Sequence, residues 1–308
     1  MLIKSSLQLI GNTPLIELNN IHQGAGKIYG KAEFIQPGGS VKDRAALHII
    51  NDAYDSGALK KGQCVVEMTS GNMGAGLAVV CNMRGNPFIA VMSEGNSVAR
   101  VRMLEGFGAK VGLVPQVDGS PGQVTGKDIA AATNEAIAIA SGNGGFYVDQ
   151  FNNPSSISAH YRGTGPEIWQ DLNGKLSAFV AAAGSGGTFN GTSKYLKEKN
   201  TNVFCAAVEP DGARVLAGYP ITNPKHIMQG IGYGIKLPHW DSTLVDQYLC
   251  VDNDEAVHYR QLLAQKEGLY VGYSAAANVC AAVKLIESGK LGDNPTVATI
   301  LCDTGLKY

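Results

Sequence analysis

The chain has 308 residues, with 25 Lys+Arg against 26 Asp+Glu and a formal charge of −1, which leaves no electrostatic footprint for nucleic acid or an anionic membrane surface. Hydrophobic residues make up 44%, enough at this length to bury a core without disulfide or metal staples in two domains or one large α/β unit. Glycine is in excess at 39 residues, and without a Gly-X-Y period the surplus belongs where backbone turns tightly or approaches something closely.

Residues 1–6 lack the apolar stretch of a signal peptide, and no apolar run reaches membrane-spanning length, so a cytoplasmic protein is expected. A helix is expected from about residue 40 to 56, with Gly57 as its stop. Short apolar, β-branched runs at 64–68, 88–92, 110–114, 146–148, 178–182, 203–208 and 296–301 are predicted strands. Helical periods alternate with them at 74–83, 98–107, 127–140, 155–172, 192–199, 254–267 and 275–287. This alternation predicts α/β architecture, a parallel sheet with helices on both faces, and ligands bound beyond the carboxyl ends of strands. Residues 116–126 read as a surface loop, and a domain boundary is expected near 145–155. The six cysteines, Cys64, Cys81, Cys205, Cys250, Cys280 and Cys302, form no Cys-x-x-Cys pair and read as free thiols in apolar runs. The six histidines show no metal spacing, so no metal site is expected.

Four loops carry candidate chemistry. In Pro37-Gly38-Gly39-Ser40-Val41-Lys42-Asp43-Arg44, Ser40 and Asp43 make an S-x-x-D box opening a helix, which puts Lys42 in the first turn. The positive end of the helix dipole disfavours an ammonium there; a neutral amine is the form that makes a Schiff base with a carbonyl, although an ordinary surface lysine fits the spacing too. Thr69-Ser70-Gly71-Asn72-Met73-Gly74 follows a strand and opens a helix; its hydroxyls, amide and free N–H groups suit a carboxylate, and a plain N-cap with a Gly turn is the equal alternative. Gly184-Ser185-Gly186-Gly187-Thr188 is a glycine-rich strand-to-helix turn. Phe189 stands where a dinucleotide fingerprint needs glycine and no Walker lysine follows, which leaves a monophosphate cradle or a tight turn. Cys302-Asp303-Thr304-Gly305 places polar groups at a strand's carboxyl end. Together these loops match the parts of a pyridoxal phosphate site.

The order and wording of these segments resemble the cysteine synthase and cystathionine β-synthase family of fold-type II pyridoxal phosphate enzymes. The resemblance runs from Ile10-Gly11-Asn12-Thr13-Pro14-Leu15 through Asp149-Gln150-Phe151-Asn152-Asn153-Pro154 and Gln229-Gly230-Ile231-Gly232 to residues 268–274. It implies two three-layer α/β/α domains with mostly parallel twisted sheets. Residues 1–12 and 36–150 would form the smaller one, carrying a mobile substrate-carboxylate loop; residues 13–35 and 151–308 would hold the cofactor phosphate. By resemblance Lys42 would carry the cofactor and act as base, and Asn72 would bond the cofactor's 3-oxygen. Gly184, Ser185, Gly186, Gly187 and Thr188 would hold the phosphate. Thr304 would meet the pyridine nitrogen; should Asp303 face the ring instead, a protonated, stronger electron sink would follow. Thr69, Ser70, Asn72 and Gln150 would close on the substrate carboxylate, Met73 would belong to the same substrate-binding loop, Gly232 would lie in the loop facing the α-amino side, and Tyr233 would approach the nucleophile side.

Some positions depart from the family's usual wording. Met73 stands for a threonine, Tyr233 for an alanine, and Gly272-Tyr273-Ser274-Ala275-Ala276-Ala277 for Gly-Ile-Ser-Ser-Gly-Ala. The departures fall near the nucleophile side and leave the acceptor open. The expected activity is β-replacement on an O-activated serine, O-acetylserine with sulfide giving cysteine. The alternative is a cystathionine β-synthase-like or cysteine-cleaving enzyme with another thiol partner. The resemblance also implies a homodimer and a possible serine acetyltransferase partner.

Overall fold

The computed structural model describes residues 2–121, 124–223 and 225–307, so residues 122 and 123 of the expected surface loop lie outside it. Among the described residues the strands are β1 (Leu15–Glu17), β2 (Lys27–Ala32), β3 (Val65–Met68), β4 (Phe88–Ser93), β5 (Lys110–Val114), β6 (Phe146–Tyr147), β7 (Ala178–Ala182), β8 (Phe204–Pro210), β9 (Gln247–Val251) and β10 (Thr296–Leu301). The helices are α1 (Lys42–Asp55), α2 (Asn72–Arg84), α3 (Val98–Gly106), α4 (Gly126–Gly142), α5 (Ser155–Ala159), α6 (Gly165–Asp171), α7 (Gly187–Lys199), α8 (Asn253–Glu267) and α9 (Tyr273–Glu287). They divide into two compact units, Met1–Ile10 with Pro37–Ser156 and Gly11–Gln36 with Ile157–Tyr308. The divisions fall after residues 10, 36 and 156, where the sequence suggested 12, 35 and 150.

The first unit is a four-stranded parallel sheet in the order β5-β4-β3-β6. Apart from Glu67 and Ser93, its inner strands are apolar on both faces, as burial on both sides demands. Val65, Phe88, Ala90 and Met92 pack with Ile49, Ile50, Leu77 and Val80 of α1 and α2. Val66 and Val91 point the other way, onto Ala132, Ala136 and Ala140 of α4. Each fully buried Val, Leu or Ile contributes about 1.5–3 kcal/mol. Helix α4 starts at a capping box in which Thr125 and Asp128 exchange side-chain-to-backbone bonds. Asp128 also accepts from the Val117 N–H, and these main-chain bonds, that from Thr125 foremost, hold its carboxyl well below the usual range.

The second unit is a six-stranded sheet in the order β1-β2-β10-β7-β8-β9, parallel except for β1 against β2. α8 and α9 cover one face through Ala256, Leu263, Val279 and their neighbours. On the other, Phe189 of α7 lies 6.2 Å from Phe179 of β7 and 5.1 Å from Trp240, ring centre to ring centre. Strands β1, β2 and β9 are additions to the sequence expectation. β2 reads as polar because Lys31 is buried inside it, 1% exposed. Its Nζ donates to the Thr13 carbonyl at 2.6 Å and pairs with Glu167 and Asp171 at 3.0 Å each. Thr13 Oγ1 in turn donates to Glu33 at 2.7 Å, and the Asn12 N–H donates to Glu167 at 3.1 Å. Within this unit the Ile10–Leu15 motif therefore anchors the chain through residues 11–15.

The single helix expected over 155–172 is broken. Between α5 and α6 the residues His160–Thr164 form a π turn, closed by the Gly165 N–H donating to the His160 carbonyl. Pro166 at the start of α6 has no N–H to continue an α ladder, and the widened turn absorbs that loss. α7 packs tightly here, since a Cβ on Gly191 would collide with the Ile157 carbonyl and the Tyr161 nitrogen.

Candidate active site

Helices α2 and α7 begin earlier than their hydrophobic periods suggest, at Asn72 and Gly187 instead of 74 and 192. Their glycine-rich first turns hide the periodicity, and candidate site residues therefore sit on helix amino termini instead of in loops.

In the first unit, Lys42 is the first residue of α1, half-buried, and its N–H donates to Ser40 Oγ at 3.3 Å. The cap expected at Ser40 is displaced by one residue: Val41 holds the cap position and offers no side-chain bond. The Asp43 carboxylate accepts from the Gly38 N–H. A Cβ on Gly38 would strike that carboxylate, which accounts for a glycine in the turn. Gly76 brings α2 against the start of α1: a Cβ there would lie 3.2 Å from the Lys42 carbonyl oxygen and 3.1 Å from the Asp43 Cα. Lys42 is thereby set beside the helix that follows the Thr69–Gly74 segment.

That segment is organised by Thr69, which is buried and whose Oγ1 accepts the Gly74 N–H at 3.1 Å and the Gly71 N–H at 3.5 Å. Gly71 at the cap has no side chain to bond the first amides of α2. Amides left in this way favour an anion. Ser70 is half-buried, and its Oγ accepts from Arg100 Nη1 at 2.9 Å, a cation held at the rim by α3. Asn72 is half-buried at the first position of α2. The Met73 side chain is 3% exposed inside the core with Leu77 and Leu104, so its main-chain N–H is what it can present. Gln150 follows β6, the neighbour of β3, so both segments leave the same edge of the sheet. The turn at Asp149 takes φ +53°, and its N–H donates to Glu67 Oε2 at 2.8 Å while Gln150 Nε2 donates to Glu67 Oε1 at 3.2 Å. Glu67 did not stand out in the sequence. It is 1% exposed, and burial pushes its carboxyl up to about 8 despite bonds from Gln150 and Asp149 that pull the other way.

In the second unit, the Gly184–Thr188 turn joins β7 to α7. Gly184 is buried against the Gly230 carbonyl oxygen, where a Cβ would overlap it. Gly186 caps α7 in the left-handed region at φ +88° and makes no side-chain cap bond. Thr188 Oγ1 is 3.2 Å from His160 Nε2, and His160 Nδ1 is 2.8 Å from Thr164 Oγ1, so the π turn orients the threonine. His160 is fully buried and serves as a positioning group that its sequence surroundings did not mark. Ser185 and Thr188 are half-buried; Gly184, Gly186 and Gly187 are buried. Backbone N–H groups at an uncapped helix start, with no Cβ in the way, fit a phosphate of one charged group.

Gly230, Gly232 and Gly234 all have positive φ, at 89°, 61° and 70°, and His226 Nε2 lies 3.1 Å from the Gly232 carbonyl. Tyr233 is 45% exposed, with its hydroxyl 4.0 Å from where a Cβ on Gly230 would be. Thr304 follows β10, which pairs directly with β7, so it leaves the same sheet edge as the glycine turn. Its Oγ1 accepts the Leu306 N–H at 3.2 Å, and the hydroxyl keeps its own hydrogen as a donor. Asp303 is fully buried. Asn278 of α9 ties the two strand ends together: it accepts from the Ala182 N–H and donates to the Ile300 carbonyl, each at 2.8 Å.

All six cysteines are free, and burial raises Cys81, Cys205 and Cys280 to about 12, 11 and 12, which makes them inert packing groups at neutral pH. Among the described residues there is no cluster that could hold a metal ion, and no helix is long and apolar enough to cross a membrane.

Comparison with known proteins adds to this geometry. The model of a family described as pyridoxal-phosphate dependent enzyme matches residues 6–303. Cysteine synthase 1 of Neurospora crassa is 39% identical, over 97% of this chain and 80% of that protein. A hydrogen sulfide-producing enzyme from Fusobacterium nucleatum superposes with a TM-score of 0.90 at 33% identity, covering all of both chains. O-ureido-L-serine synthase superposes with a TM-score of 0.91 at 35% identity, covering 100% of this chain and 94% of that one.

Proposed function

The chain belongs to the pyridoxal-phosphate dependent enzyme family, and from that membership we propose that it is a cysteine synthase, converting O-acetyl-L-serine and sulfide to L-cysteine and acetate. The observation that carries the reading is the anion receptor of the first unit, where Thr69 Oγ1 accepts the Gly71 and Gly74 amides and so shapes the turn, and the Gly71 cap offers no side chain to the Met73 N–H at the start of α2, the helix packed against the lysine end of α1. An amino-acid carboxylate fits that receptor.

Pyridoxal phosphate, when bound, supplies the electron sink that makes a substrate Cα proton removable. Lys42 would hold the cofactor, and its Nζ would move that proton. The amides of Gly184, Ser185, Gly186, Gly187 and Thr188 hold the phosphate, and Asn72 bonds the 3-oxygen. Thr304 donates its hydroxyl hydrogen to the ring nitrogen. A neutral donor there would not keep that nitrogen protonated, and the bound cofactor would then supply chemistry suited to β-elimination and addition rather than transamination. Thr69, Ser70, Asn72, Gln150 and the Met73 N–H bind and orient the carboxylate, and closure of their segment excludes water. Gly232 lies in the loop facing the substrate's α-amino side, and Tyr233 approaches the acceptor.

A second reading keeps this chemistry and changes the partner: cysteine is cleaved to release sulfide, or another thiol such as homocysteine is the acceptor. Tyr233 favours it, because a phenol replaces the family's usual small residue beside Gly230. Purified, cofactor-loaded protein given O-acetylserine with sulfide, cysteine alone, or serine with homocysteine separates the readings. Cysteine formed from the first mixture supports the proposal; turnover confined to the others refutes it. The family resemblance further supports a homodimer, and a serine acetyltransferase tail docking in the carboxylate receptor.

A further inference from the structure

Glu67 is a full-length acidic side chain inside an apolar parallel strand, and the functional reading gives it no task. It stands on the face of β3 that also carries Val65, under the core shared with α1 and α2. Both carboxyl oxygens are committed to the loop after β6: Oε2 to the Asp149 N–H at 2.8 Å and Oε1 to the Gln150 side chain at 3.2 Å. The second Gln150 amide hydrogen has the Met68 carbonyl within 3.5 Å. In this arrangement both donors of Gln150 turn into the protein, and its amide oxygen is the end left for a ligand. An oxygen acceptor repels a carboxylate. A half-turn about the last torsion of Gln150 exchanges its two ends; it gives up the long 3.5 Å contact with the Met68 carbonyl and needs a donor on Glu67, the nearer partner, to meet the incoming amide oxygen.

We propose that Glu67 is the positioning residue of the substrate-carboxylate receptor: in its acid form it donates its O–H to the Gln150 side-chain oxygen and turns the Gln150 NH2 toward the substrate. Ionised Glu67 takes the NH2 for itself and presents the wrong end. The inference rests on the reading of Gln150 as a carboxylate ligand. The receptor therefore carries its own proton, and an anionic substrate arriving at an ionised site draws one from solvent onto Glu67.

The surroundings suit that role. Desolvation inside the sheet favours the acid, and Asp149 at the head of the loop adds repulsion against the carboxylate. Tyr147 of β6 is held above its ordinary range by burial and stays neutral. β4 contributes no titratable side chain, and the titratable residues near the start of α1 are Lys42, Asp43, Arg44 and His48. Glu67 titrates at about 8, so the switch operates on the alkaline side of neutrality.

The test compares holoenzyme with the Glu67→Gln variant, whose amide copies the acid: its NH2 donates to Gln150 and its oxygen accepts from Asp149. The KM for O-acetylserine is measured between about pH 7 and pH 9. A group titrating near 8 predicts that the ratio of the two KM values, wild type over variant, rises about tenfold across that range, while effects on the substrate's own amine cancel. A second readout is independent of turnover and of the variant's yield: binding of L-alanine, which has no β-leaving group, measured by calorimetry near pH 9 in buffers of different ionisation enthalpy. Wild type takes up close to one proton more than Glu67→Gln; where the variant does not fold, isotope-edited infrared spectra of the wild type must show a glutamic acid O–H band retained at about pH 9 on L-alanine binding and lost without it. Equal pH dependence in both proteins, or an absent band, overturns the inference and leaves the cysteine synthase reading standing. Failure of wild type to bind either amino acid at any pH overturns both.

Discussion

Asn278 makes the strongest structural demand in the second unit, and its removal is a sharp test of how the cofactor half of the site is built. The residue is fully buried in α9, and its two ends hold the Ala182 N–H and the Ile300 carbonyl, with Cys302 Sγ 3.4 Å from the amide nitrogen. Asn278→Ala strands one donor and one acceptor away from water. Each costs about 1–3 kcal/mol, and alanine's better helix propensity returns about 0.6 kcal/mol, which leaves a net loss of about 1.4–5.4 kcal/mol. Both tryptophans, Trp169 and Trp240, belong to the same unit, so urea unfolding followed by their fluorescence reports the right region. The strand ends released are those carrying the glycine turn and Thr304, and cofactor affinity should fall with stability. A loss below about 1 kcal/mol, with cofactor retained at wild-type affinity, would show that the ladder between β7 and β10 alone sets those strand ends and would refute the clamp.

Other perturbations follow from the same geometry. Glu67→Gln should change the pH profile of stability: wild type binds a proton in the native state up to about 8 and loses it near 4.5 when unfolded, so its stability falls as pH rises through that window. The difference between variant and wild type should grow by about 1.4 kcal/mol per pH unit, to about 5 kcal/mol above pH 8, in urea unfolding followed by circular dichroism. Lys31→Met removes the cation from a buried pair with Glu167 and should cost about 3–5 kcal/mol, read as a lower urea midpoint. Gly184→Ala pushes a Cβ onto the Gly230 carbonyl; at about 1–3 kcal/mol of overpacking, pyridoxal phosphate affinity should drop roughly tenfold or more in an absorbance titration.

Seven strands announce themselves in the sequence because their residues are apolar on both faces, and each appears within a residue or two of its expected place. β1, β2 and β9 do not. β1 has three residues, β9 is half-buried along most of its length, and β2 contains a lysine whose burial depends on partners 136 and 140 positions away, at Glu167 and Asp171. The four chemical loops were legible for a related reason: in a parallel sheet a polar, glycine-rich segment after an apolar run has to lie at the ligand-binding edge. What supports them was hidden. His160, Asn278 and Glu67 act on Thr188, Ala182 and Gln150, at separations of 28, 96 and 83 residues, and no local pattern encodes such pairings.

A physical signal for one of these was nevertheless present. Val65-Val66-Glu67-Met68 and Ala206-Ala207-Val208-Glu209-Pro210 each place a glutamate near the carboxyl end of an otherwise apolar run. A strand buried on both faces cannot hide an unsatisfied carboxyl, so each glutamate has to find donors, and the nearest are main-chain amides of loops at the same sheet edge. Both do so: Glu67 takes the Asp149 N–H, and Glu209 takes those of Leu216 and Ala217 at 2.9 Å each. Burial raises both carboxyls. A charged residue interrupting an apolar parallel strand near its end therefore marks the point from which a ligand-facing loop is held, and Glu67 differs from Glu209 in also gripping a side chain that can turn.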